Sequence, residues 1–270
     1  MLWQNGPMIG RPGHSAEPTA ARRTAVVELD GVVKRYRGAG ELALDGIDVR
    51  VDAGEFFGLL GPNGSGKTTT ISIACGLLRP TRGEARVCGE PAGRNIGGTK
   101  RRIGLVPQEL ALYPTLTLEE NLGYFGAMHG LRGPRLNERV ADCLRIARLE
   151  SVAKRRVSTF SGGMKRRANL VVGIIHTPQV LFLDEPSLGV DPQSREVMFD
   201  SLQELRESGT TLIYTSHNMA EVQRLCTRVG ILDRGSIIAE GTPDELIART
   251  PDCADLGEVF LALTGRQLRE

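Results

Sequence analysis

Apolar and polar positions alternate along residues 25–51, first in AVVELDGVVKRY and again in LALDGIDVRV. Successive side chains of a strand point to opposite faces, so this pattern predicts strands of a half-exposed, antiparallel sheet. Residues 55–60, EFFGLL, read as a buried strand running into Gly61. A helix follows over 68–78, stopped by Pro80, with short strands at 86–88 and 102–106. Between 108 and 177 the spacing becomes helical, as in LTLEENLGYFGAMHG and LNERVADCLRIARL. Beyond it come an apolar strand at 180–183, a helix at 196–207 and a strand at 211–215. VGILDRGSIIAEG then reads as a hairpin turning at 233–236. Strands alternating with helices predict an α/β fold with an all-helical insertion near the middle.

Composition narrows this picture. The 270 residues suit one large domain or two modest ones. Lys and Arg number 34 against 32 Asp and Glu, a net charge of +2, which argues against a chain whose main task is coating nucleic acid. The five cysteines are scattered with no CxxC pair, as expected of reduced thiols in the cytosol. No apolar run approaches the roughly 18–20 residues that span a bilayer. Residues 1–24 are rich in Gly, Pro, Ala and Arg and lack the apolar stretch of a signal peptide. They are expected to form a disordered tail, and Met8 is an alternative start.

Candidate chemistry begins at 61–68, GPNGSGKT, which is Gly61, Pro62, Asn63, Gly64, Ser65, Gly66, Lys67 and Thr68. The pattern G-x-x-x-x-G-K-[ST] between a strand and a helix is a phosphate loop. Glycines let backbone N–H groups converge on a β-phosphate, and the following helix adds its positive end. Lys67 is expected to reach the β- and γ-phosphates, the Thr68 hydroxyl a Mg²⁺ ion, and Thr69 the α-phosphate. In VLFLDEP an apolar strand delivers Asp184 and Glu185 to a sheet edge, where α/β folds bind ligands. Asp184 suits Mg²⁺, and Glu185 suits orienting or deprotonating a water. Read alone, the pair is equally an acidic strand end capping a helix. His217, after TLIYTS, could bond a γ-phosphate, or could cap a helix or pack in the core. STFSGGMKRR, at 158–167, is a second anion-holding loop, with Ser161, Gly162 and Gly163 before a helical run.

Taken in order, the loop at 61–68, Gln108 in LVPQE, SGG at 161–163, DE at 184–185, SLGVD at 187–191 and His217 resemble the ATP-binding cassette (ABC) ATPases over about 26–246. The resemblance implies a P-loop ATPase domain over 25–246, with a mixed core sheet, an antiparallel β subdomain and a helical subdomain at about 108–177. A short helical extension follows at 247–270. It implies ATP and Mg²⁺ as ligands, with Gln108 joining Thr68 and Asp184 at the metal and Tyr36 stacking on adenine. Tyr36 is alternatively strand packing, and Gln108 alternatively a surface-loop residue. Glu185 and His217 become the catalytic pair. Asp191 resembles the aspartate of the loop that crosses between two ATPase domains, and it also suits an N-cap before Pro192.

FSGGM departs from the usual LSGGQ: Phe160 replaces Leu and Met164 replaces Gln. This form, with EVFLALTGR at 258–266, is similar to the exporter branch that handles drugs, antibiotics or ions. Met164 removes one polar contact near the nucleotide but leaves the Ser161 hydroxyl and the Gly162 and Gly163 amides. Lys165, Arg166 and Arg167 read either as a solvated basic face or as added positive potential for phosphate. The family implies a peripheral protein on the cytoplasmic face of the membrane, with a permease on a separate chain. It also implies a second ATPase subunit, so that 161–163 reach the γ-phosphate held by the facing copy. A soluble ABC ATPase acting on ribosomes or DNA, and a regulatory ATPase, are the alternatives. Those on ribosomes usually carry two cassettes, and those on DNA long coiled coils. This chain has one cassette and no sustained heptads.

Overall fold

The computed structural model describes residues 24–93 and 99–265. The tail expected over 1–24 therefore lies almost wholly outside the described residues, as does 266–270. In chain order the elements are β1 (Ala25–Lys34), β2 (Leu44–Asp52), β3 (Phe56–Leu60), α1 (Lys67–Ala74), β4 (Arg82–Val87), β5 (Glu90–Pro91) and β6 (Ile103–Val106). Then come α2 (Leu118–Met128), α3 (Gly133–Ala147), α4 (Gly162–Ile174), β7 (Val180–Asp184), α5 (Pro192–Glu207) and β8 (Thr211–Ser216). The chain continues through α6 (Met219–Leu225), β9 (Arg228–Asp233), β10 (Ser236–Gly241), α7 (Pro243–Arg249) and α8 (Leu256–Thr264).

Two sheets form. One is four-stranded and antiparallel, in the order β2-β1-β4-β5, and the other is six-stranded, in the order β10-β9-β3-β8-β7-β6. In the larger sheet β9, β3, β8, β7 and β6 run parallel and β10 alone antiparallel, so the core sheet is mixed as expected. Its central strands are apolar throughout because both faces are covered. Phe56 and Leu60 of β3 face the helices, while Phe57 and Leu59 pack toward the antiparallel sheet and α1. β7 divides the same way, with Leu181 and Leu183 on the helical side and Val180 and Phe182 on the other. The helical stretch α2–α4 completes the first core through Leu118, Leu122, Leu144 and Leu170.

Several boundaries differ from the sequence reading. α1 ends at Ala74 and not at 78, because Gly76 takes a left-handed backbone, φ 71°, at the position after the cap. Pro80 stands beyond a helix already finished. α5 starts at Pro192, ahead of the expected 196, because Pro suits a first helical position and Asp191 caps it. The short α6, unpredicted, follows His217 directly, with Asn218 as its N-cap. The boundary drawn at 246 falls inside α7, and Leu246, Leu256, Val259 and Phe260 all join the helical-side core.

Candidate nucleotide site

β3 delivers the chain at Leu60 into the loop 61–66, and α1 begins at Lys67. Gly66 holds φ 114°, and a Cβ there would sit 2.7 Å from Ala43 O, so no other residue fits this turn without strain. Among the described residues no side chain caps α1, which leaves its first amides and the positive helix end for a ligand. Among the described residues nothing bonds the buried Ser65 hydroxyl. The Lys67 ammonium is 5% exposed, donates to Gly61 O at 2.8 Å and Pro62 O at 3.1 Å, and pairs with Glu185 Oε1 at 3.1 Å.

Glu185 stands just past β7 with φ 47°, a conformation that costs an L-residue about 1–2 kcal/mol. Its other carboxylate oxygen, Oε2, lies 2.8 Å from His217 Nδ1. Thr215 of β8, wholly buried, was not singled out by sequence. Its hydroxyl donates to Asp184 Oδ1 at 2.8 Å and accepts from Glu185 N at 3.0 Å. One side chain thus aims one carboxylate and fixes the backbone of the next. A Thr two positions before the histidine, on the strand paired with β7, is the signal that could have found it.

These elements enclose a cleft of about 540 Å³ lined by Tyr36, Ala43, Asn63, Gly64, Gly66, Lys67, Thr68, Thr69, Gln108, Glu185, Leu188 and His217. Tyr36 stands past the end of β1 with its ring exposed, its hydroxyl 3.2 Å from Thr69 Oγ1 and Lys34 Nζ 5.5 Å over the ring. The oxygen donors Thr68, Gln108 and Asp184 fit Mg²⁺, which takes much of its coordination from phosphate and water. Among the described residues no group of three His, Cys, Asp or Glu side chains forms a ready-made metal cage.

Ser161, Gly162, Gly163 and Met164 do not line this cleft. Ser161 caps α4, accepting from Met164 N at 3.2 Å, and both Ser161 and Gly162 are exposed. Gly163 is buried, and a Cβ on it would lie 2.2 Å from Ser194 Oγ and 2.7 Å from Asp191 Oδ2. The Asp191 carboxylate accepts from Ser194 N at 2.9 Å, so it is an N-cap, and that bond leads the effects holding its pKa below the usual range. Arg166 and Arg167 are not a freely solvated basic face. Both are half-buried. Arg166 donates to the Gln108 carbonyl, and Arg167 to Ala147 O at 2.8 Å. Asn169, one turn on, accepts from Ala111 N at 2.9 Å and donates to Pro107 O at 3.2 Å. The start of α4 therefore fastens the Gln108 loop.

A phosphate loop between β3 and α1, with an acidic pair ending β7 in the same sheet, defines a P-loop nucleotide hydrolase. The chain belongs to the ABC transporter family, whose sequence profile matches residues 44–188. It is an ATP-binding subunit of that family, and its enzymatic activity is ATP hydrolysis. It is 45% identical over 91% of its length, and 76% of the relative's, to the linearmycin resistance ATP-binding protein LnrL of Bacillus subtilis. It is 43% identical, over 87% of its length and 77% of the relative's, to the Nod factor export ATP-binding protein I of Paraburkholderia xenovorans. Among solved structures, an ATP-binding subunit of an ABC transporter superposes with TM-score 0.80 at 30% identity, covering 88% of this chain and 99% of that one. A dimeric, post-hydrolysis ATP-binding cassette, MJ0796 bound to ADP and Pi, does so with TM-score 0.73 at 28% identity, covering 80% and 98%.

Proposed function

We propose that this subunit powers an exporter, binding Mg²⁺·ATP in the 540 Å³ cleft and working as one of a facing pair of ATPases on the cytoplasmic face of the membrane. The observation that carries it is the division of the phosphate-binding groups. The loop 61–69, Gln108, Glu185 and His217 share one cleft, whereas the exposed Ser161 and Gly162 lie outside it and are free to serve a facing copy. The dimeric MJ0796 cassette, which carries ADP and Pi, supports that arrangement. Export is supported by FSGGM and by the names of the linearmycin-resistance and Nod-factor-export relatives.

In this reading Tyr36 stacks on the base, the 61–66 amides and Lys67 hold the β- and γ-phosphates, and Thr69 meets the α-phosphate. Thr68, Gln108 and Asp184 hold the metal, which neutralises phosphate charge when bound. Glu185 orients and polarises the attacking water, and His217 steadies the γ-phosphate. Asp191 lies on the loop facing the second subunit.

No helix among the described residues is long and apolar enough to cross a membrane. A permease on another chain docks on the helical insertion, 108–177. Leu110, Tyr113, Tyr124 and Met128 are exposed there at 41–67%, and Tyr113 packs edge-on to Tyr124 at 5.1 Å between ring centres. Apolar patches of this kind mark binding surfaces. The experiment is co-purification from membranes. The full-length chain is expected to bring down a polytopic protein, and Tyr124→Glu with Met128→Lys to abolish capture at unchanged ATP affinity. Recovery with nucleic acid or ribosomes and no polytopic partner would overturn the reading.

A further inference from the structure

Beside the nucleotide cleft lies a larger one of about 950 Å³, between the loop after β7 and the start of α6. Its wall carries a carboxylate to which the roles above give no task. Glu221 sits four positions after His217 and is 6% exposed. Its Oε2 accepts from Ser187 Oγ at 2.6 Å and from Tyr214 OH at 2.7 Å. Those two hydroxyls are 3.0 Å apart, so three buried oxygens close a triangle. Its Oε1 faces Arg195 Nη1 at 3.5 Å and Asn218 Nδ2 at 3.4 Å. Arg195 in turn donates from Nη2 to Val190 O at 3.1 Å.

We propose that Glu221 is a positioning residue for ATP hydrolysis. One carboxylate pins both ends of the loop 185–190, through Ser187 near its start and through Arg195 and Val190 at its end, to the segment that carries His217. The proposal rests on the roles given above to Glu185 and His217.

The physical case has three parts. Hydroxyl-to-carboxylate bonds of this length are charge-assisted, roughly twice as strong as neutral ones. Burial, followed by the charge of Glu221, pushes the Tyr214 pKa far up, so that hydroxyl stays protonated and donating. Finally, Glu185 has a left-handed backbone that its surroundings must impose. Thr215 holds it on the sheet side. On the loop side Leu188 N bonds Glu185 O at 3.2 Å and Val190 N bonds Ser187 O at 3.1 Å, so fixing Ser187 and Val190 fixes the turn that presents Glu185. A glutamine here keeps one accepting oxygen but sets its NH2 either against the two hydroxyls or against Asn218 and Arg195, which are donors, and Arg195 loses its ionic partner.

The test uses the full-length chain with Glu221→Gln, Ser187→Ala and the double variant, measuring kcat and KM for ATP and the Kd of a fluorescent ATP analogue. Glu221→Gln is expected to lower kcat about tenfold or more, with KM and Kd within about twofold. The double variant should be no slower than Glu221→Gln alone, because both changes cut one network. Normal kcat in Glu221→Gln, or a loss that appears equally as weaker binding, overturns the proposal. If Glu221→Gln fails to fold, Ser187→Ala carries the test: a lower kcat at unchanged KM supports the proposal, and normal kcat overturns it. Glu185→Gln is assayed alongside. Its normal turnover would sink the role of Glu185 itself, whereas an inactive Glu185→Gln beside a normal Glu221→Gln would sink only the positioning role.

Discussion

Replacing Glu185 by glutamine removes one negative charge while keeping the length of the side chain. The carboxylate is 8% exposed and lies between two partners, Lys67 Nζ at 3.1 Å and His217 Nδ1 at 2.8 Å. Truncating one member of a buried pair typically costs about 3–5 kcal/mol. Glutamine avoids most of that, because its carbonyl still accepts from Lys67 and its amide stays within reach of His217 Nδ1. Lys67 also keeps its bonds to Gly61 O and Pro62 O. The fold is therefore expected to lose only about 1 kcal/mol, the order of one ordinary hydrogen bond. Catalysis should suffer far more. A glutamine can orient water but cannot take a proton, and loss of a positioned base typically costs about 10²–10⁴ in rate. ATP affinity should hold or rise, since the carboxylate competes with phosphate for Lys67 and repels the triphosphate. The assay is inorganic phosphate release at saturating ATP, with binding measured separately by a fluorescent nucleotide. Hydrolysis within about threefold of the unmodified chain would refute the reasoning.

Three further outcomes are expected. Thr215→Val leaves Asp184 Oδ1 without its 2.8 Å hydroxyl donor, so the chain should lose about 2 kcal/mol in denaturant unfolding, and Thr215→Ser should restore most of it. Equal stability of the valine and serine forms would contradict the assignment. Ser161→Arg removes an exposed N-cap worth about 1 kcal/mol, yet monomeric ATP binding should stay within about twofold while ATP-driven dimerisation, followed by light scattering, is lost. A dimer that still forms with ATP would end the facing-subunit reading. His176 should make the fold acid-sensitive. Burial first, then the stacked His129 ring and Arg139, bring its pKa from the ordinary 6.5 down to about 4. Between those values the unfolded chain holds more protons, so stability falls as pH drops through that window. The gap is worth at most about 3 kcal/mol, reduced to about 1–2 by partial solvent access. Urea midpoints from pH 7 to 4.5 should show the fall, and it should shrink in His176→Asn.

Local information was enough for much of this protein. GPNGSGKT needs only its own glycines and lysine to form a phosphate loop, and strands buried on both faces announce themselves as unbroken apolar runs, as in β3 and β7. Helix ends were less legible. Pro80 was read as the stop of α1, but Gly76, closer in, already ends it. The seven residues of α6 were too few to show a period. What sequence order could not show is which groups meet. Arg166 and Arg167 look like a solvated basic face along the chain, yet packing α4 against the Gln108 loop and α3 turns both toward backbone carbonyls. Thr215 and Asp184 are 31 positions apart, as Glu221 and Ser187 are 34, and nothing in either segment names its partner. Motifs and short-range periods are properties of neighbouring residues and survive in the bare sequence. Hydrogen bonds across strands and helices depend on register and packing angle, and only the folded core decides those.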